Sequence, residues 1–297
     1  MSANSQHAPC CLHSATTPTG VKRLLHSQGI APKKHLGQNF LIDRNLLAKI
    51  VLASNLSSDD YIFEIGPGPG ALTEHLLASG ATVFGLEKDP DLCALLRRLE
   101  SPAFELTCGD FLALDLCPFL RARLPPRQKG KVISNIPYHL TNPILQRLLP
   151  LNDFFSSITL MMQKEVAQRC VAQPKSKDYS ALSLFTHAYS NPKILFDIPP
   201  SAFYPPPLVT STVVHFTLKP FPSSVPPNCF FTLIKCAFQK RRKMLRRSLT
   251  PLESKKNLVT ILSSLSLSPQ ARPEELSLTS FLNLALRLQH QIEKSRK

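Results

Sequence analysis

EIGPGPGALTEHLL, Glu64 to Leu77, is the stretch whose reading decides the fold. The apolar run YIFEI, Tyr61 to Ile65, leads into it, and residues of helical period lead out. Between them stand Gly66, Gly68 and Gly70. A buried strand that meets a glycine turn and then a helix is the opening of a βαβ unit. Glycine lets the backbone pass close beneath a ligand, and the first helical turn aims its unpaired N–H groups towards it. By itself the pattern fits a tight strand-to-helix turn as well as a binding loop.

The same alternation continues outward. ATVFGLE (Ala81 to Glu87), AFELTC (Ala103 to Cys108) and KVIS (Lys131 to Ser134) are short apolar runs, separated by ALTEHLLASG, DPDLCALLRRLE and TNPILQRLL at helical period. SITLMMQKE, Ser157 to Glu165, reads as a further buried strand giving way to a helix, and PKILFDIPP with STVVHFTLK as a closing antiparallel pair. Strands alternating with helices predict an α/β fold, a Rossmann-like parallel sheet covered on both faces. Upstream, Asp43 is placed to cap a helix through RNLLAKIVLASNL. PFPSSVPPN, Pro220 to Asn228, is a break rich in proline and serine. It divides the chain into an α/β domain, residues 21–219, and a small all-helical domain, residues 220–297. Residues 1–20 carry no Lys, Arg, Asp or Glu and show no period, so a disordered leader is expected there. With no acid before Asp43, an organellar presequence stays open.

Among the 297 residues, 35 are basic and 20 acidic, for a net charge of +15. Residues 219–297 hold 15 Lys and Arg against four Glu, so most of the excess lies there. Lys and Arg that replace condensed counterions drive nucleic-acid binding, and a polyanion is the expected partner. Within KCAFQKRRKMLRRSL, read as one helix, Lys240, Arg241, Arg242, Lys243, Arg246 and Arg247 are candidate phosphate contacts to such a polyanion, or a solvated helix face. No apolar run is long enough for a membrane span, and no signal sequence is visible. The eight cysteines form no CxxC pair, and His35, His75, His139 and His187 lack ligand spacing. A cytoplasmic chain with reduced thiols, no metal and no membrane contact follows. A monomer is the expected state; the sequence shows no coiled-coil pattern and is otherwise silent on assembly.

Two acids follow the glycine turn at strand ends. Glu87 lies 21 residues past Gly66, where a carboxylate can accept both hydroxyls of a ribose. Pro67 and Pro69 remove N–H donors that a pyrophosphate would use, so the expected ligand is a nucleoside without phosphate. S-adenosylmethionine is one. Asp110, in CGDFLALDL, is then placed to face the adenine amine, although a helix cap or turn would also use it.

The fourth strand ends in NIPY, Asn135 to Tyr138. An exocyclic adenine amine is a poor nucleophile because its lone pair is delocalised into the ring. The Asn135 side-chain oxygen and the carbonyl of Ile136 or Pro137 can accept its two hydrogens and turn the lone pair towards a sulfonium methyl. Pro137 stiffens the backbone, and Tyr138 can stack on the base. Phe203, in the proline-stiffened FDIPPSAFYPPPLVTSTVV, is a candidate second wall for the base, or a core residue.

In this order KHLGQNFLID, EIGPGPGALT, LEKD, GDFL, NIPY, MMQKEV, PPSAFYPPP and QKRRKMLRRSL resemble the ribosomal RNA adenine dimethyltransferases of the bacterial small-subunit type, over roughly residues 21–290. The resemblance implies methyl transfer from S-adenosylmethionine to N6 of two adjacent adenosines in the hairpin near the 3′ end of small-subunit (16S) rRNA, within an immature 30S particle. It implies that Asn39, Leu41, Gly66, Glu87, Asp110 and Asn135 bind the cofactor, and that Asn135, Ile136, Pro137, Tyr138 and Phe203 present the adenine. Ala181 stands where the family carries a basic residue in YGRLS, and Ile136 replaces the commoner leucine. Two rival readings remain. One is a non-catalytic RNA-binding assembly or transcription factor on the same fold, which calorimetry with the cofactor separates; the other is a DNA adenine methyltransferase, which competition between duplex DNA and ribosomal substrate separates.

Overall fold

The structure, a computed structural model, describes residues 17–222, 225–239 and 243–294. In chain order the first part comprises α1 (Pro18–Ser27), β1 (Phe40–Leu41), α2 (Arg44–Ala53), β2 (Tyr61–Ile65), α3 (Ala71–Ala78), β3 (Thr82–Glu87), α4 (Pro90–Leu96), β4 (Phe104–Cys108), α5 (Leu116–Arg121), β5 (Gly130–Asn135), α6 (Thr141–Leu148) and β6 (Phe155–Gln163). Then come α7 (Lys164–Val171), α8 (Ala181–Tyr189), β7 (Ser190–Ile198), β8 (Phe203–Tyr204), β9 (Ser211–Leu218), α9 (Pro227–Phe238), α10 (Leu245–Ser248), α11 (Lys255–Ser264) and α12 (Leu278–Lys294).

Seven strands form one sheet in the order β4-β3-β2-β5-β6-β9-β7. β2 pairs in parallel with both β3 and β5, and β9 runs antiparallel to β6. Each interior strand is apolar on both sides because helices cover both faces. On β2, Ile62 joins a cluster with Leu47, Ile50, Leu76, Val83 and Ile133. Its neighbour Phe63 points the other way and stacks on Phe155, with Phe119 5.7 Å away. The chain winds from β2 to β4 in one direction and from β5 to β6 in the other, so the carboxyl ends of β2 and β5 flank the crevice where open α/β sheets hold ligands.

The described residues fall into two compact units: those up to Lys164 together with Lys193–Thr217, and Glu165–Pro192 together with those from Leu218 onward. This differs from the division expected at residue 220, since most of α7 and all of α8 belong to the second unit. The reason is an aromatic cluster. Phe185 on α8 sits 5.0 Å from Phe231 on α9, Tyr189 is stacked on Phe231, and the Tyr179 hydroxyl donates to the Leu276 carbonyl at 2.9 Å.

Two other expectations change. The leader was expected to be disordered through residue 20, yet α1 begins at Pro18: Thr17 Oγ1 accepts the Gly20 N–H, Pro18 sits in the first turn, and Val21 and Leu25 are buried. Residues 1–16 lie outside the described residues. The basic run is not one helix. α9 ends at Phe238, Met244 is extended, and α10 begins at Leu245.

Candidate active site

At the end of β2 the chain turns through three glycines with positive φ: Gly66 at +67°, Gly68 at +62° and Gly70 at +92°. The turn does not offer its N–H groups outward. Gly66 donates to the Leu86 carbonyl, Gly68 to Glu87 Oε2 and Gly70 to the Pro67 carbonyl, while Pro67 and Pro69 carry no donor. A pyrophosphate therefore meets none of the N–H groups it needs along residues 66–70. A Cβ on Gly66 would stand in open space at the cavity, whereas one on Gly70 would meet Leu99 Cδ1 at 2.8 Å.

Glu87 closes β3 and is 6 % exposed. Its Oε1 accepts the N–H groups of Lys88 and Asp89, each at 2.9 Å, and its Oε2 that of Gly68 at 3.0 Å. Burial raises its titration above the usual carboxylate range, and these backbone donors oppose the rise. Asp110, just past β4, pairs with Lys88 Nζ at 2.9 Å and accepts the Leu112 N–H at 2.8 Å. Lys88 first, then Leu112, hold it below the usual range, so it is an acceptor at neutral pH.

Across the crevice, β5 delivers Asn135. Its Nδ2 donates to the Asn39 backbone carbonyl at 2.9 Å, which leaves Oδ1 as the acceptor. Ile136 is buried, and Pro137 holds φ −60° and ψ 130°. The Tyr138 hydroxyl is tied to Ser211 Oγ at the start of β9, which fixes the ring by its far end. Burial raises the Tyr138 phenol further, so it stays protonated.

One cavity of about 200 Å³ is bordered by Asn39, Leu41, Gly66, Glu87, Asp110 and Asn135, and by Ile136, Pro137 and Tyr138. Phe203 is not among its walls. It pairs with Leu41 across β1 and β8, is 2 % exposed and packs in the core cluster, so the base-wall role expected for it gives way to the core role. Of the basic candidates, Lys243 and Arg247 are exposed and Arg246 is half-buried. Lys240, Arg241 and Arg242 lie outside the described residues. Ala181 is the first residue of α8, after a Ser180–Ser183 capping box.

Sequence reasoning passed over Glu64. It is 1 % exposed, accepts from Thr73 Oγ1 at 2.7 Å and borders the same cavity. Burial, with Glu87 adding repulsion, pushes its carboxyl up to about 8. An acid inside an otherwise apolar strand was the signal.

Carboxylates at the ends of β3 and β4, an amide acceptor at the end of β5 and a glycine turn with its donors already used are suited to a nucleoside rather than a dinucleotide. By fold and site the protein is a Rossmann-like methyltransferase. A sequence model described as ribosomal RNA adenine dimethylase matches residues 30–290. The ribosomal RNA small subunit methyltransferase A of Protochlamydia amoebophila (strain UWE25) is 43 % identical over 269 residues, covering 90 % of this chain and 95 % of that protein. Its counterpart of the same name in Chlamydia caviae is 39 % identical over 278 residues, 91 % and 97 % of the two chains. The crystal structure of a dimethyladenosine transferase from Plasmodium falciparum superposes with a TM-score of 0.70 over 83 % of this chain and 96 % of that one; at 24 % identity it speaks for the fold. The chain belongs to the ribosomal RNA adenine dimethylase family.

Proposed function

We propose that the protein dimethylates N6 of two adjacent adenosines in the hairpin near the 3′ end of 16S rRNA, using S-adenosylmethionine, and that it does so on an immature 30S particle, as a monomer in the cytoplasm. The observation that carries the reading is the Asn135 amide, whose nitrogen is spent on Asn39 so that its oxygen is held as an acceptor at the cavity wall.

The residues present suit this cofactor. Glu87 would accept from the ribose and Asp110 from the adenine amine, and Gly66 leaves the space a side chain would fill. When bound, S-adenosylmethionine supplies a methyl group on an electrophilic sulfonium. Asn135 Oδ1 and a carbonyl of Ile136 or Pro137 take the two hydrogens of the target amine and direct its lone pair to that methyl. Tyr138, anchored through Ser211, presents its ring for stacking on an adenine drawn out of its helix. As the N–CH3 bond formed, the S–CH3 bond would break to leave a neutral thioether, and the cationic amine would lose its surplus proton to water without a strong base. Asn39, Leu41 and the basic segment containing Lys240–Lys243, Arg246 and Arg247 complete the assignment, the last as sequence-blind phosphate contacts.

The test is incubation with methyl-labelled S-adenosylmethionine and small subunits from cells lacking this modification, read by mass spectrometry of the rRNA. N6,N6-dimethyladenosine at two adjacent positions is expected. Binding of the subunits without any methyl transfer would favour the assembly-factor reading instead.

A further inference from the structure

Residues 33–41 carry Asn39 and Leu41 to the cavity, yet contain little regular structure beyond a single 3₁₀ turn at Lys34–Leu36 and the two residues of β1. The Asn135 bond to the Asn39 carbonyl and the β1–β8 pairing hold the far end of this segment, and Asp89 fixes its near end from outside. This carboxylate is fully buried, and both its oxygens face the segment: Oδ1 accepts from Lys33 Nζ at 2.6 Å and Oδ2 from Gln38 Nε2 at 2.8 Å. Gln38 Oε1 returns to accept the Lys33 backbone N–H at 2.7 Å, closing a ring, and Asp91 takes Lys33 Nζ from its other side at 2.7 Å. The Asp89 N–H meanwhile donates to Glu87 Oε1 at 2.9 Å. One residue thus holds the Glu87 wall through its backbone and the opposite segment through its side chain.

A buried carboxylate stays ionised only while it is paired. Burial pushes Asp89 upward, but Lys33, Gln38 and the Asp91 backbone N–H together more than offset it, and its titration lies below the usual carboxylate range. The ion pair therefore persists through the physiological range, as a latch must.

We infer that Asp89 is a positioning residue: with Lys33 and Gln38 it latches residues 33–41 against the Glu87 wall, so that Asn39 and Leu41 stand at the cavity before any ligand arrives. The benefit to donor binding rests on the cofactor reading above; the latch itself does not. A segment already in its bound conformation costs nothing further to order. If release leaves it in place only a tenth of the time, apparent affinity falls about tenfold.

Asp89 also caps α4 by accepting the Asp91 N–H, so Asp89→Asn alone does not separate latch from fold. Lys33→Met does, because it leaves that cap intact and Lys33 is partly exposed. Amide hydrogen exchange of the ligand-free protein, covering residues 34–41, is compared among wild type, Lys33→Met, Lys33→Arg and Asp89→Asn, with S-adenosylmethionine affinity measured by calorimetry. Faster exchange confined to residues 34–41 and affinity about tenfold weaker are expected for Lys33→Met, with Lys33→Arg close to wild type. Unchanged exchange in Lys33→Met overturns the latch, as does unchanged affinity where the wild type binds. If the wild type binds no donor, the cofactor reading fails and exchange alone decides the latch.

Discussion

The side-chain nitrogen of Asn135 donates to the backbone carbonyl of Asn39 over 2.9 Å, joining residues 96 positions apart at one cavity wall. That bond decides which end of the amide faces the cavity. Asn135→Ala removes the acceptor, and dimethylation of small-subunit rRNA is expected to fall by about 10²–10³-fold, as when one aligned polar group is lost from a reacting centre. Asn135→Asp keeps acceptor oxygens but cannot donate to Asn39, and is expected to be nearly as poor. Single-turnover methyl transfer measures both; wild-type rates in Asn135→Asp would show that the anchoring bond is dispensable.

Tyr138 separates ring from hydroxyl. Stacking on a base is worth about 1–3 kcal/mol, so Tyr138→Ala is expected to lower kcat/KM by about 10–100-fold. Tyr138→Phe keeps the ring and loses only the tie to Ser211, which predicts a loss within about threefold. Equal losses in the two variants would assign the work to the hydroxyl.

The strands of the α/β unit were legible because a buried parallel strand must be apolar on both faces. YIFEI coincides with β2, and the other runs end within a residue or two of β3 to β6. The cavity walls were legible for a different reason: glycines, acids and NIPY fall at strand ends, where the sheet order brings them together. Phe203 was ambiguous because one aromatic in a loop satisfies a core and a stacking role alike; pairing with Leu41 is a long-range fact that no local pattern carries. The second unit was misjudged for the same reason, since what draws α8 to α9 is the meeting of Phe185 and Tyr189 with Phe231 across more than 40 residues of chain. The Asp89 latch was hidden because LEKDP reads locally as a helix cap, which Asp89 also is.

Gly66 and Gly70 have similar positive φ values but different surroundings, which separates binding from stability. Alanine at either position pays the left-handed strain of about 1 kcal/mol. At Gly70 the new Cβ also meets the half-buried Leu99 and the buried Leu96, at 2.8 and 3.1 Å. Gly70→Ala is expected to be destabilised by about 2–3 kcal/mol, from strain plus overpacking. Gly66→Ala projects into the cavity instead, so a smaller loss of Tm with a large loss of donor affinity is expected. Thermal denaturation and calorimetry check the pair, and the reverse ordering of their Tm values would refute the packing argument.

Glu64 gives a pH dependence whose sign is fixed. Its carboxyl titrates near 8 in the folded protein against an ordinary value of 4.5, because burial disfavours the charge and Glu87 repels it. Between those values the folded state binds more protons than the unfolded one, so stability falls as pH rises. The contribution is fully present below about 4.5 and is lost as pH passes through about 8. Glu64→Gln preserves an acceptor for Thr73 Oγ1 and does not titrate. Asp60, Asp89 and Asp110, all lowered by their partners, lose stability at the acid end in both proteins and cancel from the comparison. The Tm of Glu64→Gln minus that of wild type, measured without ligand, is therefore expected to be more positive at pH 9 than at pH 5. A difference that is the same at both pH values would mean that Glu64 is ionised throughout, and that the cavity is wetter than its burial implies.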